Sequence, residues 1–438
     1  MGIVLTNALL CDIDPIGVEI GSLRIDSDKI VERGTAKAQA GDQVIDCGGA
    51  VVLPGLVNGH THLYSALSVG MPAPPTIPTN FYEILKFVWW RLDQALDDAS
   101  NEMSATIGAL DALHCGTTTL IDHHASPRAI EGSLDAIERG LSTVGVRGVL
   151  CYEVTDRHGK AGRKAGLEET RRYFAKRCGN PITFAALSGA HASFTLNDEA
   201  LSEIEDWSEE FGEAGVHIHV AEDLCDDAIT RQRYKRSLIE RFDLPSIDLL
   251  RPMHIFAHCI HLSDDDIAAV NDAGVTVAHN ARSNMNNAVG YAPIAKLTCP
   301  VMLGTDGIGA DMFAEVKAAW FKSRDGGAGI SPGRVIEMLA TSARRASKAL
   351  HTMLGKLQVG AAGDVVVTDY VPFSPLTSEN FSGHFIFAMS SRNVRHVIAG
   401  GKLALKDRVV QTCDETDIRR RAQTVAKQLW QRMDGIPA

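Results

Sequence analysis

Histidines and carboxylates recur at short spacings through the middle of this chain. His60 and His62 are two residues apart, so on a β-strand both side chains point to the same side and can share one ligand. His217 and His219 repeat this spacing further along. The other residues of the set are two more histidines, His258 and His261, and two carboxylates, Glu222 and Asp306. Neutral imidazoles together with carboxylates are the donors that a divalent metal ion needs. The residue types therefore indicate metal-assisted chemistry.

Such residues need a scaffold that brings distant parts of the chain together. Short apolar runs alternate with helical patterns through the middle of the sequence, which is typical of βα units around a parallel sheet. We predict eight strands, at 51–58, 117–122, 146–152, 183–187, 216–220, 255–257, 275–278 and 301–304. Eight βα repeats predict a closed (β/α)8 TIM-type barrel. An open doubly wound sheet is the competing architecture, but no Gly-x-Gly-x-x-Gly motif follows any of these strands.

In a barrel of this kind, the carboxyl ends of the strands meet at one mouth. Six of the eight predicted strand ends carry a histidine and the eighth is followed by Asp306, although the chain has only 16 histidines in 438 residues. The sequence therefore predicts a metal site at the mouth. Spacing alone leaves open whether His217 or His219 binds the ion, and it leaves a similar choice between His258 and His261.

The two ends of the chain have a different pattern from the middle. Residues 1–54 and 355–410 alternate short apolar runs with turn residues, which is typical of antiparallel strands. We expect these segments to form one small β-sandwich domain, with the barrel of residues 55–354 inserted between them. Residues 411–438 contain an amphipathic helix, since apolar side chains recur there at helical spacing.

Composition excludes several classes of partner. The formal net charge is −11, which disfavours general binding to nucleic acids or anionic membranes. No apolar run is long enough to span a bilayer. Nine cysteines occur without a Cys-x-x-Cys pair, which favours reduced thiols and a cytoplasmic location.

Several motifs resemble those of the amidohydrolase superfamily, in the branch of cytosolic aminohydrolases that includes deaminases and triazine hydrolases. The resemblance rests on residues 54–62 (PGLVNGHTH), 219–222 (HVAE), 257–262 (AHCIHL) and 303–307 (LGTDG). Three further stretches resemble SsnA-type aminohydrolases: residues 122–127 (DHHASP), 191–196 (HASFTL) and 279–290, which contains SNMNNAVG. Order and spacing match over essentially the whole chain.

The resemblance implies roles that spacing leaves open. It implies that His60, His62, His219 and Asp306 bind the metal, that His258 contacts the hydrolytic water, and that His217 is structural. The binuclear branch of the superfamily carries a carboxylated lysine on or near strand four, and residues 183–191 contain no lysine. We therefore expect one divalent metal ion, with Zn²⁺ as the first expectation and Fe²⁺ as the alternative. The resemblance also implies a homodimer.

The expected activity is hydrolytic deamination of a nitrogen heterocycle with a purine-, pterin-, triazine- or imidazolone-like ring. A divalent metal lowers the pKa of its water from ~15.7 towards ~7. Asp306 would accept the proton of the water, His258 would hydrogen-bond the hydroxide and then the oxyanion, and Glu222 would protonate a ring nitrogen. Substrate contacts are expected from His191, His123 and Trp89, the last in an aromatic-rich insert at 63–113.

Two alternatives remain open from sequence. One is another hydrolase reaction, either the opening of a cyclic amide or the removal of a leaving group other than ammonia. The other is a non-catalytic protein of metal or selenium metabolism that has kept the scaffold. The intact set of ligands and carboxylates favours an enzyme, since a non-catalytic relative would be free to lose Asp306 or Glu222.

Overall fold

The structure is a computed structural model that describes residues 2–180, 182–210 and 214–437. Five strands come first in the chain: β1 Ile3–Ile13, β2 Ile16–Asp26, β3 Lys29–Gly34, β4 Gln43–Asp46 and β5 Val51–Pro54. Nine parallel strands follow: β6 Leu56–Thr61, β7 Thr117–His124, β8 Arg147–Tyr152, β9 Phe184–Ala186, β10 Ser188–Ala192, β11 Val216–Val220, β12 Ile255–His258, β13 Thr276–His279 and β14 Val301–Leu303. The last four are β15 Val365–Thr368, β16 Val394–Ala399, β17 Lys402–Lys406 and β18 Val409–Val410.

The parallel strands close into the predicted barrel. They form two hydrogen-bonded sheets, β6 to β9 and β10 to β14. A parallel bridge between Val154 and Ala190 joins the sheets on one side, and a bridge between Thr61 and Asp306 joins them on the other. β9 and β10 are separated by a single residue and together occupy the fourth strand position. The (β/α)8 architecture is thus confirmed, because eight strand positions surround one closed interior.

Two of the predicted strands differ from those observed. The predicted strand 51–58 is divided at Gly55, since β5 pairs with β1 and β15 whereas β6 pairs with β7. A continuous apolar run has no periodicity that marks such a change of partner. The predicted strand 183–187 also stops short, because the chain continues as β10 through His191. That extension carries small and polar residues, which lack the apolar pattern of a buried strand.

Helices cover the outside of the barrel and part of its mouth. They are α1 Phe81–Ile84, α2 Trp90–Ala95, α3 Asp98–His114, α4 Ser133–Val144, α5 Gly159–Arg177, α6 Asp198–Glu210, α7 Leu224–Tyr234, α8 Leu238–Phe242, α9 Asp264–Ala273, α10 Ala281–Asn286, α11 Met312–Asp325, α12 Pro332–Leu350, α13 Phe381–Phe387 and α14 Glu415–Asp434. One turn of π-helix, Leu85–Trp89, joins α1 to α2. Polar caps begin several of them: Asp97 and Ser263, for example, accept from the backbone N–H three residues on.

The terminal strands form one β-rich domain in the described part of the chain. Their hydrogen-bonded order is β18-β17-β16-β15-β5-β1-β2-β3, with β4 beside β1. Antiparallel pairing of β5 with β15 joins the amino-terminal and carboxyl-terminal segments. This sheet has its own apolar cluster, which includes Leu5, Ile25, Ile30, Val365 and Ile398. The β-rich domain expected from both ends of the chain is therefore present.

The barrel interior is filled below its mouth. Val57, Ile121, Val149, Ile255 and Met302 are buried there in one apolar cluster. A barrel filled in this way is a packed core and not a pore, so its chemistry is confined to the end where the strands terminate. Among the described residues, no helix combines the length and the apolar character needed to cross a membrane.

A buried ion pair connects the barrel to the β-rich domain. Arg147 Nε in β8 lies 2.8 Å from the carboxylate of Asp364, the residue before β15, and the two side chains are only 5% and 3% exposed. Asp364 also accepts a hydrogen bond from the backbone N–H of Gly400 at 2.5 Å. Removing one partner of such a pair leaves the other charge buried without compensation, which is costly.

We expect Asp364→Ala to lower the free energy of unfolding by about 3–5 kcal/mol, because Arg147 would then remain buried and unpaired. Urea unfolding followed by circular dichroism measures the loss. The matched control is Asp407→Asn, which breaks the exposed ion pair with Arg395 and keeps a residue type that tolerates the positive φ of this position. That variant should unfold close to the wild-type midpoint. Equal losses in the two variants would contradict a structural role for the buried pair.

Candidate active site

The polar residues of the mouth sit where strands end. His60 lies near the end of β6, His219 lies in β11, and Asp306 follows β14. Two backbone contacts hold the first and the eighth strand together at this point, since the N–H of His62 donates to the carbonyl of Asp306 at 3.3 Å and the N–H of Asp306 donates to the carbonyl of His60 at 3.0 Å. Closure of the barrel therefore fixes the relative positions of these side chains.

Four side chains form the innermost cluster. One ligand atom from each of His60, His62, His219 and Asp306 lies within 4.8 Å of the others. His62 Nε2 is 3.1 Å from Asp306 Oδ1, and His60 Nε2 is 3.7 Å from the same oxygen. His62 Nε2 is also 3.1 Å from His219 Nε2. These are the four residues for which metal binding is predicted from sequence, and the structure brings all four together.

The orientations of the imidazole rings fit a cation. His62 Nδ1 donates to the carbonyl of His123 at 2.6 Å, and His219 Nδ1 donates to the carbonyl of His191 at 2.8 Å. Because the Nδ1 atoms carry the protons, the neutral rings present unprotonated Nε2 atoms to each other. His60 Nε2 is buried beside them without a hydrogen-bond partner. Lone pairs directed at one point are costly to bury unless a positive ion lies between them.

The charge at this point is set by Asp306. Burial would raise the pKa of its carboxyl, but His60 and His62 hold the pKa well below its usual range. In the absence of a metal, Asp306 in turn offsets the effect of burial on His62 and raises the pKa of that ring to about 9. Burial lowers the pKa of His60 to about 3. The cluster therefore favours one positive charge, which a proton or a metal ion can supply.

His217 and His261, whose roles spacing leaves open, both lie outside the four-residue cluster. Nε2 of His217 lies 2.8 Å from Nδ1 of His60, so His217 forms a hydrogen bond with a predicted metal ligand. His261 Nε2 donates to the carbonyl of Val289 at 2.7 Å. Neither arrangement directs these rings at the point where the other four converge.

Glu222 and His258 form a second cluster with Asp306. Their ligand atoms lie within 4.8 Å of one another, and His258 Nε2 is 3.5 Å from Glu222 Oε2. Burial, together with the nearby charge of Asp306, raises the pKa of Glu222 well above its usual range. The two carboxyl groups of the site therefore have opposite protonation preferences, one as an acid and one as a carboxylate. That difference suits general acid and general base roles.

A cavity of about 980 Å³, which includes its open mouth, lies above these residues. Aromatic and apolar side chains form much of its wall, among them Phe81, Leu85, Trp89, Trp90 and Phe194. The polar groups include His62, Tyr64, Asp93, Glu153, His191, His219, Glu222, Ser283, Asn287 and Asp306. A concave, mostly apolar space with a few convergent polar groups is typical of a small-molecule site.

The three residues with predicted substrate contacts are placed differently. Trp89 and His191 line the cavity. His123 is fully buried, and its Nε2 lies 3.1 Å from the carbonyls of Ala190 and His217. It is not among the residues that line the cavity, and its backbone carbonyl holds His62. Substrate contact by these three residues stays a prediction.

A further group of buried charged side chains includes Glu153 and Asp93, which both line the cavity. Arg157 donates to Glu153 and to Asp93 at 3.0 Å each, and its guanidinium lies over the ring of Trp90. Burial raises the pKa of Asp93 to about 7, and Asp93 Oδ1 is buried without a partner. Glu153 and Arg157 are four residues apart, a spacing that suggests a pair only on a helix. No sequence pattern places Asp93, 60 or more residues earlier, beside them.

Comparisons with known proteins point to one family and one fold. The model of the amidohydrolase family matches residues 51–404. The chain is similar to the 5'-deoxyadenosine deaminase of Methanosarcina mazei, at 29% identity over 99% of each chain. It is also similar to the 5-methylthioadenosine/S-adenosylhomocysteine deaminase of Desulforudis audaxviator, at 28% identity over 93% of this chain and 95% of the relative. In fold it resembles a zinc-bound adenosine deaminase of Xanthomonas campestris, with a TM-score of 0.84 and 20% identity over 99% of each chain.

We expect the wild-type protein to bind one zinc ion per chain, and His62→Ala and His219→Ala to bind it far more weakly. Loss of a residue that merely supports a ligand costs about 10- to 100-fold in metal affinity, so loss of a ligand should cost more. Elemental analysis after dialysis and calorimetric titration measure stoichiometry and affinity.

The control for this experiment is His261→Gln, which changes a histidine of the mouth that lies outside the cluster. It should retain one zinc ion per chain. Full zinc occupancy in His219→Ala, or its loss in His261→Gln, would contradict the assignment of the four ligands.

Proposed function

This chain belongs to the amidohydrolase family and is an aminohydrolase of C–N bonds other than peptide bonds, and we propose that it deaminates an adenine-type ring carried by a nucleoside. The reaction adds water at the ring carbon that bears the amino group and releases ammonia. The observation that carries the proposal is the pair of carboxyl groups, Glu222 and Asp306, with opposite pKa shifts on either side of His258 at the floor of one cavity.

We assign the metal site to His60, His62, His219 and Asp306, because their donor atoms converge and one of them is buried without a partner. Three imidazoles and one carboxylate suit Zn²⁺, and Fe²⁺ is the alternative. A divalent ion bound there would supply Lewis-acid activation of water. A single ion is proposed, because a binuclear site needs a further bridging ligand.

The carboxyl groups divide the proton transfers between them. Asp306, which remains ionised, accepts a proton from the attacking water at its carboxylate. Glu222, which remains protonated, donates its proton to the ring nitrogen next to the carbon under attack. His258 lies between them and contacts the oxygen that adds to the ring. When the tetrahedral intermediate collapses, the amino group takes the proton held by Asp306 and leaves as ammonia, while the added hydroxyl returns its proton to Glu222 as the ring carbonyl forms, so one water is consumed and one ammonia is released.

The walls of the cavity suit a planar ring with a polar substituent. Trp89 and Phe194 present apolar surface on which a heterocycle can pack. Asp93 also lines the cavity, and its Oδ1 has no hydrogen-bond partner among the described residues. A hydroxyl group of a ribose would donate to that oxygen, which satisfies a buried acceptor. His191 lies between the two regions and is proposed to contact the substrate.

We propose a narrower set of substrates than the ring types expected from the sequence. Two curated relatives that match nearly the full length of the chain are named as deaminases of 5'-modified adenosines. We therefore place 5'-deoxyadenosine and 5'-methylthioadenosine ahead of free purines, pterins and triazines. The cytoplasmic location and the homodimer predicted from sequence remain proposals.

The test is ammonia release by zinc-loaded protein across adenosine, its 5'-modified derivatives, guanine, a pterin and an amino-substituted triazine. Glu222→Gln and Asp306→Asn should each lower kcat by about 100-fold or more, because each removes one proton transfer. His261→Gln is the control, since it preserves the cluster. Unchanged ammonia release in either carboxyl variant would refute the assigned roles. The product mass, measured by mass spectrometry, distinguishes deamination from ring opening, because ring opening adds one water and releases nothing.

The protonation of Glu222 predicts a pH effect with a definite sign. Glu222 acts as an acid only below its raised pKa, so activity should fall as pH rises through that pKa. Asn287 Nδ2, 3.5 Å from Glu222 Oε1, stabilises the carboxylate and lowers the pKa. Asn287→Leu should therefore move the alkaline limb of kcat to higher pH. A limb that stays in place or moves to lower pH would contradict this role.

A further inference from the structure

His258 is held by an amide whose role the proposed function does not use. Its Nδ1 lies 2.8 Å from Oδ1 of Asn284, and both side chains are fully or almost fully buried. Asn284 belongs to the short helix α10, directly after β13, whereas His258 ends β12. The contact therefore joins two neighbouring strand ends of the barrel by a hydrogen bond between side chains.

The geometry fixes which ring nitrogen carries the proton. An amide oxygen accepts only, so His258 Nδ1 is the donor in this contact and carries the proton. In the neutral ring, Nε2 is then unprotonated and presents a lone pair. That nitrogen faces Glu222 Oε2 at 3.5 Å and lies within 4.8 Å of an oxygen of Asp306. The unprotonated nitrogen thus points into the space where water must attack.

The other amide near His258 does not compete for Nδ1. Asn280 Nδ2 lies 3.5 Å from both ring nitrogens of His258, at the outer limit of a hydrogen bond and farther from Nδ1 than Asn284 Oδ1 is. Asn284 Nδ2 is buried and has no hydrogen-bond partner. If the amide were reversed, that nitrogen would donate to Nδ1 and the ring proton would move to Nε2.

We infer that Asn284 is a positioning residue that selects the Nδ1-protonated tautomer of His258, so that His258 Nε2 accepts a hydrogen bond from the attacking water. This inference deepens the proposed function and rests on it. It also changes the expected order of events at His258. The ring first accepts from the water, and it can donate to the oxyanion only after it has taken up a proton.

The backbone around His258 shows why a side-chain contact is needed to orient it. His258 and Cys259 both have positive φ, at 75° and 52°, which is strained for residues with a Cβ. Such a turn directs the ring inward but does not determine its tautomer. Asn284 determines the tautomer, because its amide oxygen accepts a hydrogen bond from a protonated ring nitrogen and not from an unprotonated one.

The tautomer can be read directly by ¹⁵N NMR of zinc-loaded protein with labelled histidine, with His258→Gln to assign the signals. The expected result for the wild type is a protonated Nδ1 and an unprotonated Nε2. In Asn284→Leu, which has similar volume and no acceptor, the ring should populate both tautomers. A wild-type ring protonated at Nε2 would overturn the inference, whatever the substrate is.

Kinetics of two variants complete the test. Asn284→Leu should lose about 10- to 100-fold in kcat with little change in KM, because orientation of the water is impaired and substrate binding is not. Asn284→Asp retains an acceptor and should keep the wild-type tautomer and most of kcat. If the amide nitrogen were the true partner, Asn284→Asp would be the more damaging change. Asn101→Leu, which alters a buried amide of α3, controls for the loss of buried polarity.

Failure of this inference differs from failure of the proposed function. The wrong tautomer, with deamination still abolished in Glu222→Gln, refutes only the role of Asn284. The expected tautomer, with no ammonia released from any adenine nucleoside, refutes the proposed substrate and leaves the positioning role in place.

Discussion

The site depends on placing three imidazole nitrogens and one carboxylate face to face where little water can reach them. The lone pairs of these groups repel one another unless each ring has a fixed tautomer and a positive charge lies at the centre of the group. The protein meets the first condition with backbone carbonyls, those of His123 and His191, which accept from His62 and His219. Those carbonyls come from adjacent strand ends. The tautomers of these two rings are therefore a consequence of barrel closure, whereas Nδ1 of His60 faces a side chain, with Nε2 of His217 at 2.8 Å.

Strained backbone also occurs at the same strand ends. Ala221, His258, Cys259 and Asp306 have φ values of 49°, 75°, 52° and 54°. Each costs about 1–3 kcal/mol, which persists only where surrounding structure determines the conformation. At these four positions the chain turns out of β11, β12 and β14 directly into the mouth. The strain is thus a cost of directing Glu222, His258 and Asp306 inward from regular strands.

The sequence predicts the barrel and the residues of the mouth for one reason. A parallel barrel places every strand end on one face, so a list of residues after each apolar run is also a list of neighbours in space. His60, His62 and Asp306 could be grouped in that way before any coordinates, whereas the choice of His219 over His217 came from the resemblance of residues 219–222. Family membership, expected from motifs such as residues 54–62, is likewise confirmed. The division at Gly55 and the continuation of the fourth strand through His191 could not be predicted, because they depend on which strand each residue pairs with. Asp93 was also unpredictable, since it reaches the cavity from an insert with no strand periodicity.

Two groups of buried charged side chains line the cavity. In the first, Glu222 and Asp306 face several imidazoles, and the proton preferences of the two carboxyl groups diverge. In the second, Arg157 pairs with Glu153 and Asp93 together, and His191, His123 and Arg157 overcome the effect of burial and hold the pKa of Glu153 well below its usual range. A buried cation shared by two carboxylates is expensive to move, so this wall is a fixed boundary. A substrate that contacts both groups must therefore match the fixed distance between them. Under the proposed function, that constraint favours a nucleoside over a free base, because a free ring bound at Glu222 leaves Asp93 Oδ1 without a partner among the described residues.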